Sequence, residues 1–450
     1  MARIVAILVV LAGQIIAASA GAHGDDPHPE DLPPGEHTGG SGTPCEGGYV
    51  SAGDFDFPCQ NVDLLAWTDL IGIPTFGSDI WGWTDPVEGT PWAIIGLFDG
   101  TAFVDLSDPE SPQHVATLPT ASTGSFWADV KVYEDHAYIV KDEAGDHGLQ
   151  VFDLTQLRLL NGGPVTLNAT TWYTGFGPGH NLAANEETGF LYVLGSDTCA
   201  GGPHVLDLSS PSDPVFVGCF SGDGYTHDAQ CVVYEGPDLD YFGREICFSA
   251  NPATSGLGED TLTIVDVTDK EAMTQISRTG YPDSSYAHQG WLTQDQSYFL
   301  FGDEGDEIDF GNPTRTLVWD VRDLDEPLLV GHHESTRAST DHNLYVRGDY
   351  VFQANYSSGL RVLRIVDPDT ASLEEVAYFD TYPPHDFGGT GVGAWSVYPF
   401  FDHDFVVVSD ILLGLFVLRP QLVPEASGAL LQAAALACLG ALAGVTRNLR

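Results

Sequence analysis

Seven times the chain repeats a short apolar strand of the form G-L-Q-V-F-D-L, and no other feature limits its fold as much. The copies are GTAFVDL, GLQVFDL, GPHVLDL, TLTIVDV, TLVWDV, GLRVLRI and GLFVLRP, indexed by Asp105, Asp153, Asp207, Asp266, Asp320, Arg364 and Arg419. Their intervals are 48, 54, 59, 54, 44 and 55 residues. A period near 50 carrying four short β-rich runs is what a propeller blade requires, because each small sheet buries its faces only against neighbouring blades. The expectation is an all-β, seven-bladed β-propeller; a long solenoid is the alternative.

One unit can be read strand by strand. Residues 127–133 alternate, 137–140 are apolar, 149–154 carry the motif, and 165–172 follow a Gly-Gly-Pro turn. The fourth strand recurs as PQHVATL, PVFVGCF, MTQISRT, PLLVGHH and LEEVAYF, but nothing like it follows Arg419. NVDLLAWTDL, at residues 61–70, has the right character and precedes the first unit. It is expected to join residues 412–418 and close the ring, which removes free sheet edges. The D-L-S-D-P and D-V-T-D-K corners at Asp105 and Asp266 read as Asx turns.

The ends of the chain read as addresses. Residues 1–20 have a charged start, an apolar core and a small-residue cleavage site, as a secretory signal does. Residues 21–60 form a Pro/Gly/acidic leader with a Cys loop, of which 21–44 is expected to be disordered. In it His23, Asp25, Asp26 and His28 read first as a solvated linker and second as a metal-capturing group. The propeller should occupy 61–420, and 421–450 is a tail in which a VPEAS motif (Pro424, Glu425) precedes a short apolar run and two arginines.

Removing both ends lowers the basic count from 16 to 13 and the acidic count from 64 to 63, leaving a net charge of −50. Such a surface excludes nucleic acid and favours divalent cations or basic partners; a saline habitat explains it equally well. Of seven cysteines, Cys438 lies in the tail. The other six suit an oxidising compartment. Proximity pairs them as Cys45–Cys59, Cys199–Cys219 and Cys231–Cys247, among 15 combinatorial connectivities.

The segments SDIWGWTDP, GTAFVDLSDP, YTHDAQCVVYEGPDLDYFGREICF, DTLTIVDVTDK, HQGWLTQD and DHNLYV, in order along the chain, resemble the choice-of-anchor B family with its LVIVD-type repeats. The resemblance spans roughly residues 45–419 and implies an extracellular propeller whose members carry different C-terminal anchoring signals; it implies no reaction. The tail resembles the PEP-CTERM sorting signal, with Ala426 at the usual second proline. That likeness implies an exosortase-type processing enzyme, transient membrane association, and delivery to the exterior or outer surface of a Gram-negative bacterium. A permanent C-terminal anchor is the other reading.

Aligning the first strand of each unit puts Trp81, Trp127, His180, His227, His288, His342 and Trp395 at one level. Four neighbouring imidazoles at one channel mouth would suit iron, copper or zinc. The polar residues Asp129, Asn181, Asp228, Gln289 and Asn343, with the strand-closing Asp142, Asp197, Asn251, Asp303, Asn355 and Asp410, are expected around the same mouth as supporting groups. The competing reading has each histidine bonding a neighbouring blade's backbone or a channel water.

Asp303, Glu304, Asp306, Glu307 and Asp309 crowd one loop and could hold calcium, or form a solvated acidic loop. Trp81, Trp83, Trp92 and Trp127 could stack on sugars or pack between blades. No G-x-S-x-G, H-E-x-x-H, C-x-x-C, P-loop or G-x-G-x-x-G motif occurs, so catalytic residues stay unknown. A serine nucleophile beside a ring histidine stays open, since triads are geometric. The first reading is a secreted binding or scaffold module, engaging surface polysaccharide or protein. The second is a metal-dependent enzyme of oxygenase or hydrolase type with a four-histidine centre; the third is a structural propeller without ligand.

Overall fold

The computed structural model describes residues 39–69, 76–160, 162–253, 258–384 and 386–422. The signal, residues 21–38 of the leader, and the sorting residues Pro424 and Glu425 lie outside these. Seven sheets form seven blades, counted in chain order. Their innermost strands are Gly77–Thr84, Ala128–Tyr133, Asn181–Asn185, Asp228–Val233, Ala287–Leu292, Asn343–Arg347 and Ala394–Tyr398. Each touches the next in a closed cycle, and the seventh returns to the first. The chain is a seven-bladed β-propeller.

The repeat motif is the third strand of each blade, buried on both faces, which is why it reads as an apolar run. Apolar clusters lie between consecutive blades; one joins Leu149, Val151 and Leu182, another Ile264, Phe301 and Trp319. The aspartate that ends the motif turns the corner. Asp105, Asp153, Asp207, Asp266 and Asp320 each accept the backbone N–H two residues on, at 2.7, 3.0, 2.6, 3.0 and 3.0 Å.

Ring closure follows the expected route. Val62–Thr68 pairs antiparallel with Gly414–Pro420, with Leu64 opposite Leu418 and Trp67 opposite Phe416. The leader contributes more than a loop: Gly39–Thr43 adds a fifth strand to blade 7, and the hairpin Tyr49–Ala52 and Phe55–Gln60 extends blade 6. Cys45–Cys59 ties these two additions together. Cys199–Cys219 and Cys231–Cys247 are also formed, the latter between directly opposed residues of two strands of blade 4.

Blade 2 departs from the sequence reading. Residues 165–172 do not make one outer strand: Val165–Thr166 pairs in parallel with the outer strand of blade 1, and Thr171–Tyr173 completes blade 2. The 3-10 turn Leu154–Leu159, started by the Asp153 side chain, carries the chain across to its neighbour. Among the described residues no helix is long and apolar enough to cross a membrane.

Candidate functional site

The channel wall is built in layers by the seven innermost strands. His180, His227, His288 and His342 converge on one small chamber of 40 Å³, together with Trp127, Trp395, Tyr286, Tyr356 and Glu304. Successive imidazole centroids are 4.4, 4.1 and 4.5 Å apart, so the rings form an unbroken arc across four blades.

Hydrogen bonding fixes their tautomers. Nδ1 of His227, His288 and His342 meets the backbone carbonyl of the next blade's equivalent residue, His288, His342 and Trp395, at 2.8, 3.1 and 2.5 Å. A carbonyl only accepts, so each of these Nδ1 atoms carries a proton. His180 Nδ1 meets the Asp142 carboxylate at 2.9 Å. Although burial works to raise it, the His180 hydrogen bond holds the Asp142 carboxyl below its ordinary pKa. Burial, reinforced by the neighbouring imidazoles, pushes His288 well below the ordinary histidine value. Burial also lowers His342, against the opposing pull of Glu304. The backbone contacts expected if no metal binds are therefore present, and they leave the Nε2 edges facing the chamber.

Those edges meet one another and a carboxylate. His180 Nε2 and His227 Nε2 are 2.8 Å apart. The Glu304 carboxylate lies 3.6 Å from His288 Nε2 and 3.9 Å from His342 Nε2, and it is anchored by the Tyr356 hydroxyl, which donates to Oε1 at 2.6 Å. The ligand atoms of His288, Glu304 and His342 all lie within 4.8 Å of one another. The histidines thus divide into a compact triad with Glu304 and an adjoining pair.

Trp81 is not at this level. Pairing in blade 1 slips between Gly77–Leu97 and Ile80–Ile95, so that Asp79 takes the position equivalent to Asp129. Trp81 falls two residues further along, in the next layer. Trp83 and Trp92 are buried in blade packing.

The residues that follow the histidines mostly staple blades together. Asp129 Oδ2 accepts Leu182 N at 2.7 Å, Gln289 Oε1 accepts Leu344 N at 2.9 Å, and Asn181 Nδ2 donates to His227 O at 2.9 Å. These contacts satisfy backbone groups of the innermost strands, which have no strand neighbour on the channel side. Asn181 and Asn343 still border the His chamber, whereas Asp228 lines the opposite cavity. Asp197, Asp303 and Asp410 do not support the imidazoles. Asp197 accepts Gly177 N; Asp303 accepts the Tyr281 hydroxyl and the N–H groups of Ser285 and Tyr286; Asp410 accepts Leu412 N and Leu413 N.

Nor do the five loop carboxylates share one shell. Glu304 turns to the chamber, Asp306 pairs with Arg315, Glu307 accepts Arg315 N, and Asp309 accepts the Ser285 hydroxyl. Asp306 and Glu307, at the start of the short helix Asp306–Phe310, are buried, so the loop is not a solvated acidic face.

No family model and no curated protein matches the chain. Solved structures do. A hydrazine synthase from Kuenenia stuttgartiensis is similar over 73% of this chain and 92% of its own, at 11% identity and a TM-score of 0.52. The likeness is one of fold. A protein from Lactobacillus plantarum aligns over 74% of this chain and 87% of its own, at 14% identity and a TM-score of 0.48. A β-propeller domain from Myceliophteria thermophila aligns over 73% and 93%, at 11% identity and a TM-score of 0.46.

Proposed function

We propose that this is a secreted, envelope-sorted binding or scaffold module whose channel holds a transition metal between His288, Glu304 and His342, with His180 and His227 completing the ligand wall. The carrying observation is the convergence of donor atoms: the ligand atoms of His288, Glu304 and His342 all lie within 4.8 Å of one another, with His180 and His227 lining the same chamber. Two imidazoles and a carboxylate are a familiar donor set for zinc and ferrous iron, and additional imidazoles suit copper. The three disulfides suit an oxidising, extracellular setting, and the segment likeness to choice-of-anchor B proteins supports the same address.

The size of the chamber gives a second, enzymatic reading some content. At 40 Å³ it has room for water or a diatomic molecule. A bound ion there would supply Lewis-acid activation of a small molecule. The chain's own part is to hold Nε2 lone pairs inward and to fix Glu304 through Tyr356.

Thermal unfolding with added zinc, copper or ferrous ion tests the metal reading. One ion should raise Tm by a few degrees, as ligand binding to the folded state requires, and Glu304→Gln should reduce that gain. Identical curves with all three ions would overturn it.

A further inference from the structure

Two residues beyond the blade-stapling positions, the innermost strands present Trp81, Lys131, Gln230, Trp291, Tyr345 and Tyr398 to a second and larger cavity, of 570 Å³. Its wall is two-sided. Blades 5, 6, 7 and 1 supply rings packed against one another into one wall, edge to face at Trp291–Tyr345 (69°), Trp81–Tyr345 (73°), Tyr345–Phe400 (80°) and Tyr398–Phe400 (77°), and tilted at Trp291–Phe400 (34°) and Trp81–Phe400 (46°). Blades 3 and 4 and their loops supply Asp228, Glu186, Glu187 and Glu235.

We infer that this cavity binds an organic cation, of the quaternary ammonium class, between the aromatic wall and the facing carboxylates. An aromatic wall opposite carboxylates suits a cation, whereas sugar stacking calls for a flat open ring face. Charge agrees. The only cation lining the cavity among the described residues is Lys131, and it is spent on Asp129 at 2.6 Å and Asp79 at 3.1 Å. Its Nζ lies 4.7 Å from the Trp81 ring centroid, so this layer already holds one ammonium against an aromatic ring. The volume fits a small-molecule ligand. The site is independent of the metal chamber, and either can fail without the other.

Calorimetric titration of the intact secreted protein with choline chloride, against its uncharged carbon isostere 3,3-dimethyl-1-butanol and against xylohexaose, provides the test. Choline should bind at least about tenfold more tightly than the isostere, as a desolvated cation–π contact implies. Trp291→Leu and Asp228→Asn should each weaken binding about tenfold while circular dichroism and Tm show a folded domain. Equal affinity for choline and the isostere would overturn the inference, as would binding of xylohexaose alone, no heat at millimolar choline, or unchanged affinity in both folded variants.

Discussion

His180 Nε2 lies 2.8 Å from His227 Nε2, a hydrogen-bonding distance, while the Nδ1 atoms of the two rings meet the Asp142 carboxylate and the His288 carbonyl. A metal ion held by these Nε2 atoms would displace the proton they share. His227→Gln removes one of those nitrogens and should sharply reduce metal-induced stabilisation, while costing the metal-free protein about 1–3 kcal/mol in urea unfolding for the lost buried contacts. A large loss in both states would assign His227 a packing role instead.

Closure rests on Trp67. It is 2% exposed, donates Nε1–H to Leu413 O at 2.8 Å, and stacks on Phe416 with centroids 5.7 Å apart. Trp67→Ala should cost about 3–5 kcal/mol, read by denaturant unfolding. Deleting residues 39–69 should leave no cooperative transition at all, because blade 7 would lose its outer strands and expose an edge.

The fold was legible because burial between blades forces each third strand to be apolar, and five of the seven corners carry a turn-forming aspartate. Both demands repeat, and repetition shows in a sequence. The histidine level was legible for the same reason in blades 3 to 6. It failed at Trp81, where a slip in strand pairing shifts the residue by a layer without any signal in the local pattern. Glu304 was visible only as one acid among five. Its turn toward His288 and His342 depends on the Tyr356 hydroxyl, fifty-two residues away in sequence. The cation cavity draws on four blades for its aromatic wall, so no single unit spells it out.

Burial pushes the Asp380 carboxyl up to about 7 and the Asp410 carboxyl up to about 6. In the unfolded chain both titrate near the ordinary value of about 3.9. Between those values the folded state holds protons that the unfolded state has lost, so the contribution of each carboxyl to stability falls with rising pH, against the depressed histidines, whose contribution rises. Between about pH 5 and about pH 8 the slope of Tm with pH should therefore be more negative in the parent than in Asp380→Asn. An unchanged slope would remove Asp380 from the account.

The Cys231–Cys247 bridge links directly opposed residues of adjacent strands in blade 4, sixteen positions apart. Replacing both with alanine should lower stability by about 2–4 kcal/mol in urea unfolding under oxidising conditions. The same pair of substitutions should cost less when the protein is assayed fully reduced, where only the packing of two buried side chains is lost.

The most direct measurement is elemental analysis of the protein, purified without a histidine tag, alongside His288→Ala and His342→Ala variants shown to be folded. The account predicts close to one transition-metal ion per chain in the parent and its loss from both variants. A parent that takes up no metal even after loading, or variants that keep their full complement, would contradict it.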